Sequence, residues 1–436
     1  MHLSMENILL KITNVFKSRF FQLGSIVLVG SFLVNILNYT FNVVMGRMLT
    51  PEEFGEGASL IGLMAIISVP SASLLKLMAK YSADFKEKGK NNFIADLFRI
   101  VAKRSFQLGL LAMVVFLCLI PFLVWFLKIE VAPLVVFSLL LPLTLLVAIN
   151  QGVLQGLHRF ISSSVTSFLA AFFKLSLAIL FVYLGFSVTG VIIALVIGYI
   201  ISYFFSLRQI QSNIQIKDQI LPTEVKEEIN KKEIILFAKS MFLVSLFMVL
   251  LTNTDVILAK HYLSAFLAGQ YAALSITGKI IFYASGAFLT VMFPMVSASL
   301  SNGDGKEKDI LKMAFVLNGL IAGGVLLLFL FFPTLFVKLL FGAKYLVISS
   351  YLVWFSLAMF CCAFSQVFIT YFMATNAKNY LVPLAFAILL QIGLIVCFHA
   401  DFLQITLAVL TSNVLLLILM ILTYYKNSIH KKSLIV

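Results

Sequence analysis

Asn42-Val43-Val44-Met45-Gly46-Arg47-Met48-Leu49-Thr50-Pro51, followed by Phe54-Gly55-Glu56-Gly57-Ala58-Ser59-Leu60, is the stretch that decides the fold, because it occurs twice. The second copy reads Asp255-Val256-Ile257-Leu258-Ala259-Lys260, then Tyr262-Leu263-Ser264-Ala265 and Ala268-Gly269-Gln270-Tyr271-Ala272-Ala273-Leu274. A one-residue insertion separates Lys260 from Tyr262. Each copy is an apolar helix with polar residues near its end, a basic residue at the exit, a short turn and a second apolar helix. A repeat of this size is a unit of architecture. In a membrane chain it predicts two similar halves around a central site.

The surrounding chain is a membrane chain. Apolar residues make up 61% of the 436 residues and charged residues 11%, where a soluble protein carries about 25% charge. About 20 apolar residues let a helix cross a bilayer. Twelve such runs are found near 21–46, 57–80, 104–127, 131–154, 161–184, 187–207, 235–259, 266–297, 310–335, 346–373, 380–398 and 402–424. The expected fold is therefore an all-α integral membrane protein of about 12 transmembrane helices in two pseudo-symmetric six-helix bundles. The expected domains are 1–207, a mixed-charge linker at 208–234, and 235–436. Six spans per half is an even number, so both halves enter the membrane in the same direction, as parallel repeats do.

The net charge of +14 admits a nucleic-acid partner, but its distribution argues against one. Twelve spans put both termini on one side, and 23 of the 32 Lys/Arg residues fall on that side. Only Arg47, Lys128, Lys260, Lys338 and Lys344 fall on the other. The bias follows the positive-inside rule, so both termini are expected to be cytoplasmic. The first apolar run is too long for a signal peptide and is expected to be retained. An apolar stripe of Ile8, Leu9, Ile12, Val15 and Phe16 reads either as an interfacial helix or as a frayed terminus. Cys118, Cys361, Cys362 and Cys397 all fall within spans without metal-type spacing and are expected to be free, buried thiols.

Polar and charged residues inside spans mark the candidate site, since a charge at the bilayer centre costs about 3 kcal/mol on insertion scales. Asn35, Asn38 and Asn42 share a helical face. Lys174 and Lys279 lie mid-span, Lys76 toward the inner end of its span, and Gln151 at the close of the fourth. The asparagines line either an aqueous cavity or helix–helix contacts, and Gln151 is read with the cavity; for Lys174 and Lys279 the competing reading is snorkelling or an internal ion pair, and for Lys76 it is snorkelling. Asp255 falls where Asn42 does in the first copy, and is read as a coupling-ion or proton site or as a lysine's partner. Arg47 and Lys260, at matching exits, are topological anchors or an outer gate. The deep charges are mostly positive, and a basic cavity with low-dielectric walls attracts anions such as phosphate, diphosphate or acidic sugars. Pro121 and Pro333 are expected to kink or end their helices. The Gly152-xxx-Gly156 and Gly319-xxx-Gly323 spacings predict close helix packing.

No Gly-x-x-x-x-Gly-Lys-Ser/Thr loop is present, which argues against ATP hydrolysis. The five histidines show no metal-ligand spacing, so no metal and no cofactor is expected.

The stretch Gly46-Arg47-Met48-Leu49-Thr50-Pro51-Glu52-Glu53-Phe54-Gly55 resembles the first-loop signature of the polysaccharide transporter family. These are the Wzx-like oligosaccharide flippases of the multidrug/oligosaccharidyl-lipid/polysaccharide exporter superfamily. Asn253-Thr254-Asp255-Val256-Ile257-Leu258 through Gly269-Gln270-Tyr271, with Phe293-Pro294, resembles the family's seventh and eighth spans. The resemblance covers most of the chain. It implies two six-helix bundles in a V, alternating access, and a lipid-linked glycan as substrate. It also implies importance for Asp255, an acidic residue in the seventh span, with Lys174 and Lys279 as the cationic lumen residues. Related lipid II flippases usually have fourteen spans, which the count here does not match.

The expected function is a flippase carrying polyprenyl-diphosphate-linked oligosaccharide to the outer leaflet, coupled to H+ or Na+. Its partners would be membrane lipids and the polymerase and glycosyltransferases of the same pathway, and its place a bacterial or archaeal inner membrane. Two other classes compete. A cation-coupled exporter of small amphipathic drugs would favour an acidic cavity. A membrane glycosyltransferase or polymerase would carry a larger outer loop with paired carboxylates.

Overall fold

The computed structural model describes residues 19–212, 231–303, 305–375, 377 and 379–433. The stripe at 8–16 and most of the expected linker lie outside these residues. Among the described residues, the regular secondary structure is helical.

The first part of the chain forms α1 (Arg19–Met48), α2 (Pro51–Ile67), α3 (Val69–Glu87), α4 (Asn91–Leu127), α5 (Val131–Ser138), α6 (Leu140–Gly156), α7 (Phe160–Tyr183) and α8 (Ser187–Gln211). The second part forms α9 (Lys231–Tyr262), α10 (Ala265–Asn302), α11 (Glu307–Phe331), α12 (Pro333–Phe341), α13 (Ser349–Ala374), α14 (Leu381–Cys397) and α15 (Phe402–Ser433). A 3₁₀ turn at Ala343–Ile348 leads into α13.

Each of the twelve apolar runs is found as helix. Among the described residues, nine helical segments are long and apolar enough to span a membrane, and α2 with α3 makes a tenth, bent by 41°. The two remaining runs are α1 and the shorter α14. The bend falls at Ser68, just before Pro70, where a missing N–H breaks the helical ladder.

Local chemistry sets the helix starts. Thr50-Pro51-Glu52-Glu53 is a capping box. Thr50 N–H donates to Glu53 Oε2 at 2.9 Å, and Glu53 N–H donates to Thr50 Oγ1 at 3.3 Å. Pro51 occupies the first helical position, where no N–H is needed. In the second copy, Ser264 Oγ accepts from Leu267 N–H at the start of α10.

The chain gathers into two compact units. Unit 1 holds residues 1–45, 67–125 and 129–242; unit 2 holds residues 46–66, 126–128 and 243–436. Residues 46–66, which belong to the first repeat copy, thus cluster with the second half of the chain.

In unit 1, α6 packs along α3, and α8 packs along α7. The Gly152-xxx-Gly156 spacing does what it predicts. A Cβ at Gly152 would stand 2.5 Å from Leu75 O, and one at Gly156 would stand 2.6 Å from Ala79 O. In unit 2, α10, α13 and α15 form the central layer. A Cβ at Gly319 would stand 3.6 Å from Phe364 Cζ, and one at Gly323 4.0 Å from Phe360 Cε2. These glycines make room for aromatic side chains and not for a close backbone crossing.

The two prolines behave differently. Pro333 separates α11 from α12, whereas Pro121 lies inside the unbroken α4. The four cysteines are free, but only Cys361 and Cys362 are buried; Cys118 and Cys397 are exposed on apolar spans.

Candidate functional site

Unit 1 brings together α1 and α7 at Lys174. Its ammonium donates to Asn38 Oδ1 and stands 4.4 Å from the Phe41 ring centroid. Asn42 Nδ2 donates to the Asn38 carbonyl at 3.0 Å, so the predicted asparagine face is used in part. A small residue permits this approach: a Cβ at Gly30 on α1 would stand 2.8 Å from Ser164 Cβ on α7. These partners of Lys174 are neutral, so its positive charge is solvated by an amide oxygen and a π face and not cancelled.

Two further predicted cavity residues of unit 1 are placed elsewhere. Gln151 donates to Ser167 Oγ at 3.0 Å, within a polar seam that joins α6 to α7 and α8. The seam includes Gln155 to Ser163 at 3.2 Å and Asn150 to Ser206 at 2.8 Å. Lys76 lies on the exposed face of α3.

Unit 2 holds Asp255, 1% exposed, against a ladder on α10. Tyr271, Ser275 and Lys279 are spaced by four and so share one face. Asp255 Oδ2 accepts from Ser275 Oγ at 2.8 Å and from Tyr271 Oη at 3.4 Å. Asp255 Oδ1 pairs with Lys279 Nζ at 3.4 Å, and Lys279 is 5% exposed. The two deep charges of this unit therefore compensate one another. Such a pair tolerates burial only while both members are present.

The exits of the two repeat copies meet within unit 2. Arg47, at the end of α1, donates to the carbonyls of Leu339 and, at 2.9 Å, Leu340, at the end of α12. Lys344, just beyond α12, donates to the carbonyls of Arg47, at 3.1 Å, and Leu49. Each basic residue thus caps the other helix's C-terminus, where carbonyls lack partners and carry partial negative charge.

Nearby, Lys260 pairs with Glu56 at 3.5 Å. Burial lowers the proton affinity of an ammonium and a carboxylate raises it, so this contact couples the two side chains. Gly55 and Gly269, equivalent positions in the two copies, touch: a Cβ at Gly55 would lie 2.8 Å from Gly269 N, and one at Gly269 only 1.6 Å from Pro51 O. Phe54, Phe341 and Tyr345 stack around the junction at centroid distances of 5.5–6.1 Å.

Sequence reasoning singled out Asp255, Lys279, Lys174, Asn38, Arg47 and Lys260. It missed Tyr271, Ser275 and Lys344. The i, i+4, i+8 spacing of Tyr271, Ser275 and Lys279 was a signal for the first two. Nothing in local periodicity pointed to Lys344.

Solved structures share this architecture of helical membrane units. An inward-facing multidrug resistance MATE family transporter of the MOP superfamily superposes with a TM-score of 0.78 at 16% identity, covering 92% of this chain and 96% of its own. The lipid II flippase MurJ in an inward closed conformation gives 0.69 at 14% identity, covering 91% and 87%. An outward-facing MATE transporter gives 0.60 at 17% identity, covering 94% and 95%. No curated protein matches the chain in sequence. Residues 22–300 match the polysaccharide biosynthesis protein family, and the chain belongs to that family.

Proposed function

We propose that the chain is a flippase that moves a polyprenyl-diphosphate-linked oligosaccharide from the cytoplasmic to the outer leaflet by alternating access, and that it is not an enzyme. The observation that carries this reading is Lys174. A half-buried ammonium held by neutral groups in a low-dielectric surround attracts an anion, and a glycan carrier's diphosphate fits the family's place in polysaccharide biosynthesis.

Asn38 and Asn42 extend the polar surface beside Lys174. Gln151 and Lys76 are retained as residues reached only when the helices shift. Lys279 joins the anion path when Asp255 releases it. Asp255, with Ser275 and Tyr271 as ready oxygen donors, is the proposed point of H+ or Na+ coupling, because a proton or cation there would displace Lys279. Arg47 and Lys260, through their contacts with α12 and Glu56, form the outer gate. Both termini and the 208–234 linker are cytoplasmic, the membrane is the cell's inner membrane, and the glycan polymerase and glycosyltransferases of the pathway are the partners.

The test is depletion of the protein in its host, with lipid-linked oligosaccharide quantified on each membrane face, followed by complementation with Lys174→Gln. Accumulation on the cytoplasmic face, uncorrected by folded Lys174→Gln protein, is the expected result. Unchanged intermediates with raised drug sensitivity would replace this reading with a small-molecule exporter.

A further inference from the structure

Unit 1 contains an apolar cavity of about 640 Å³ between α3, α4 and α6, with Phe242 of α9 also in its wall, on helices other than the α1–α7 pair that holds Lys174. The volume falls within the range of about 300–1,000 Å³ that small-molecule sites occupy. Ile67 and Pro70, which flank the bend between α2 and α3, line one end. Leu77, Leu108, Ala112 and Leu145 continue the wall. Elsewhere the helices are closed: a Cβ at Gly109 would stand 2.6 Å from Pro142 Cα on α6, and Phe85, Ile94 and Phe98 pack together nearer the 88–90 turn.

The polar side chains at the cavity add little polarity. Ser73 Oγ donates to Val69 O at 3.3 Å, within its own helix, and Ser105 is buried. Leu108 on the α4 wall is 62% exposed, in a helix long and apolar enough to span a membrane, so a bilayer would present hydrocarbon to this wall.

Its basic end has a second character. Lys80 follows Leu77 by three residues and Arg104 precedes Leu108 by four, so each stands one turn beyond the apolar wall on a neighbouring part of the same face. Both are exposed. Lys80 Nζ also lies 5.8 Å from the Tyr81 ring centroid. Cations at the rim of an apolar intramembrane groove suit a phosphate headgroup.

We propose that this groove binds one hydrocarbon chain of an anionic membrane phospholipid, with the headgroup phosphate on Lys80 and Arg104. A resident phospholipid fits better than the prenyl tail of a transported carrier, because the groove faces lipid on α4 while the deep cation lies on α1 and α7.

The test uses full-length protein with Trp125→Phe and Trp354→Phe, and Leu77→Trp as the reporter, in phosphatidylcholine vesicles. Dibrominated phosphatidylglycerol or dibrominated phosphatidylcholine is added as quencher at matched mole fraction. Brominated phosphatidylglycerol is expected to associate several-fold more tightly at the reporter. Lys80→Gln and Arg104→Gln should each reduce that preference by about fivefold or to parity, and Ala112→Phe should cut quenching by both lipids. Equal quenching by the two lipids, or a preference untouched by the rim variants, overturns the proposal. If Leu77→Trp does not yield monodisperse protein, Leu108→Trp at the exposed mouth serves as reporter with the same outcomes.

Discussion

A single hydrogen in place of a methyl group lets the two repeat copies touch. At Gly269 the neighbour is the carbonyl of Pro51, a backbone atom that cannot rotate away, and the added Cβ would stand 1.6 Å from it. Gly269→Ala is therefore expected to destabilise the protein by about 1–3 kcal/mol or more, the usual cost of overpacking. Gly57→Ala is its control, since nothing lies within 4 Å of a Cβ there and a helix favours Ala over Gly. Thermal unfolding of both purified variants in detergent checks the pair, and equal melting temperatures would remove the argument. Asp255 and Lys279 supply a second comparison. Asp255→Asn strands a buried ammonium and should cost about 3–5 kcal/mol. Adding Lys279→Gln should recover most of that loss. A double variant that folds but does not transport would then assign the pair a role in the transport cycle, which a purely structural pair would not have.

At the scale of the helix, much could be read from sequence because its rules are local. Apolar run length marked the spans, and small residues four apart foretold a close crossing on α6. What stayed hidden was the choice of partner. Lys279 reads as a cavity cation or as a member of an ion pair, and Asp255 as a lysine's partner; which lysine is not legible, and Lys279 is found on Asp255, 24 residues away in sequence. Gln151 was expected at a cavity and is found on Ser167. Pro121 and Pro333 have the same local chemistry, yet only Pro333 ends a helix. Periodicity states which face a residue occupies and is silent about what faces it. The reciprocal caps belong to this scale. Arg47→Ala and Lys344→Ala should each cost about 1 kcal/mol, as a cation at a helix C-terminus does. Their combined effect should differ from the sum, because both hold the same junction. Strict additivity in denaturant unfolding would mean the two caps act independently.

For the whole molecule, the lopsided distribution of Lys and Arg leads to a prediction about sidedness. Single cysteines at Gly89 and at Glu130, in a chain whose four native cysteines are replaced by alanine, should react with an impermeant maleimide from opposite sides of the membrane. The two positions flank α4, so labelling from one side only would contradict the orientation drawn from positive charge. The duplication, visible in the sequence as two helix pairs, predicted a boundary at 208–234. The compact units follow a different line, with residues 46–66 gathered among residues 243–436. A repeat identifies which segments are alike, while compactness reflects which segments touch, and here a segment of one copy touches its counterpart.

That arrangement has a consequence for how the protein is made. The carbonyls of Arg47 and Leu49 are capped by Lys344, nearly 300 residues later in the chain. During synthesis the end of α1 and the start of α2 wait, without their partner, while most of the polypeptide is still being translated. A nascent chain stalled before residue 333 should remain open to protease at residues 48–51, and one extended past residue 350 should be protected there. A loop made early is thus completed only late.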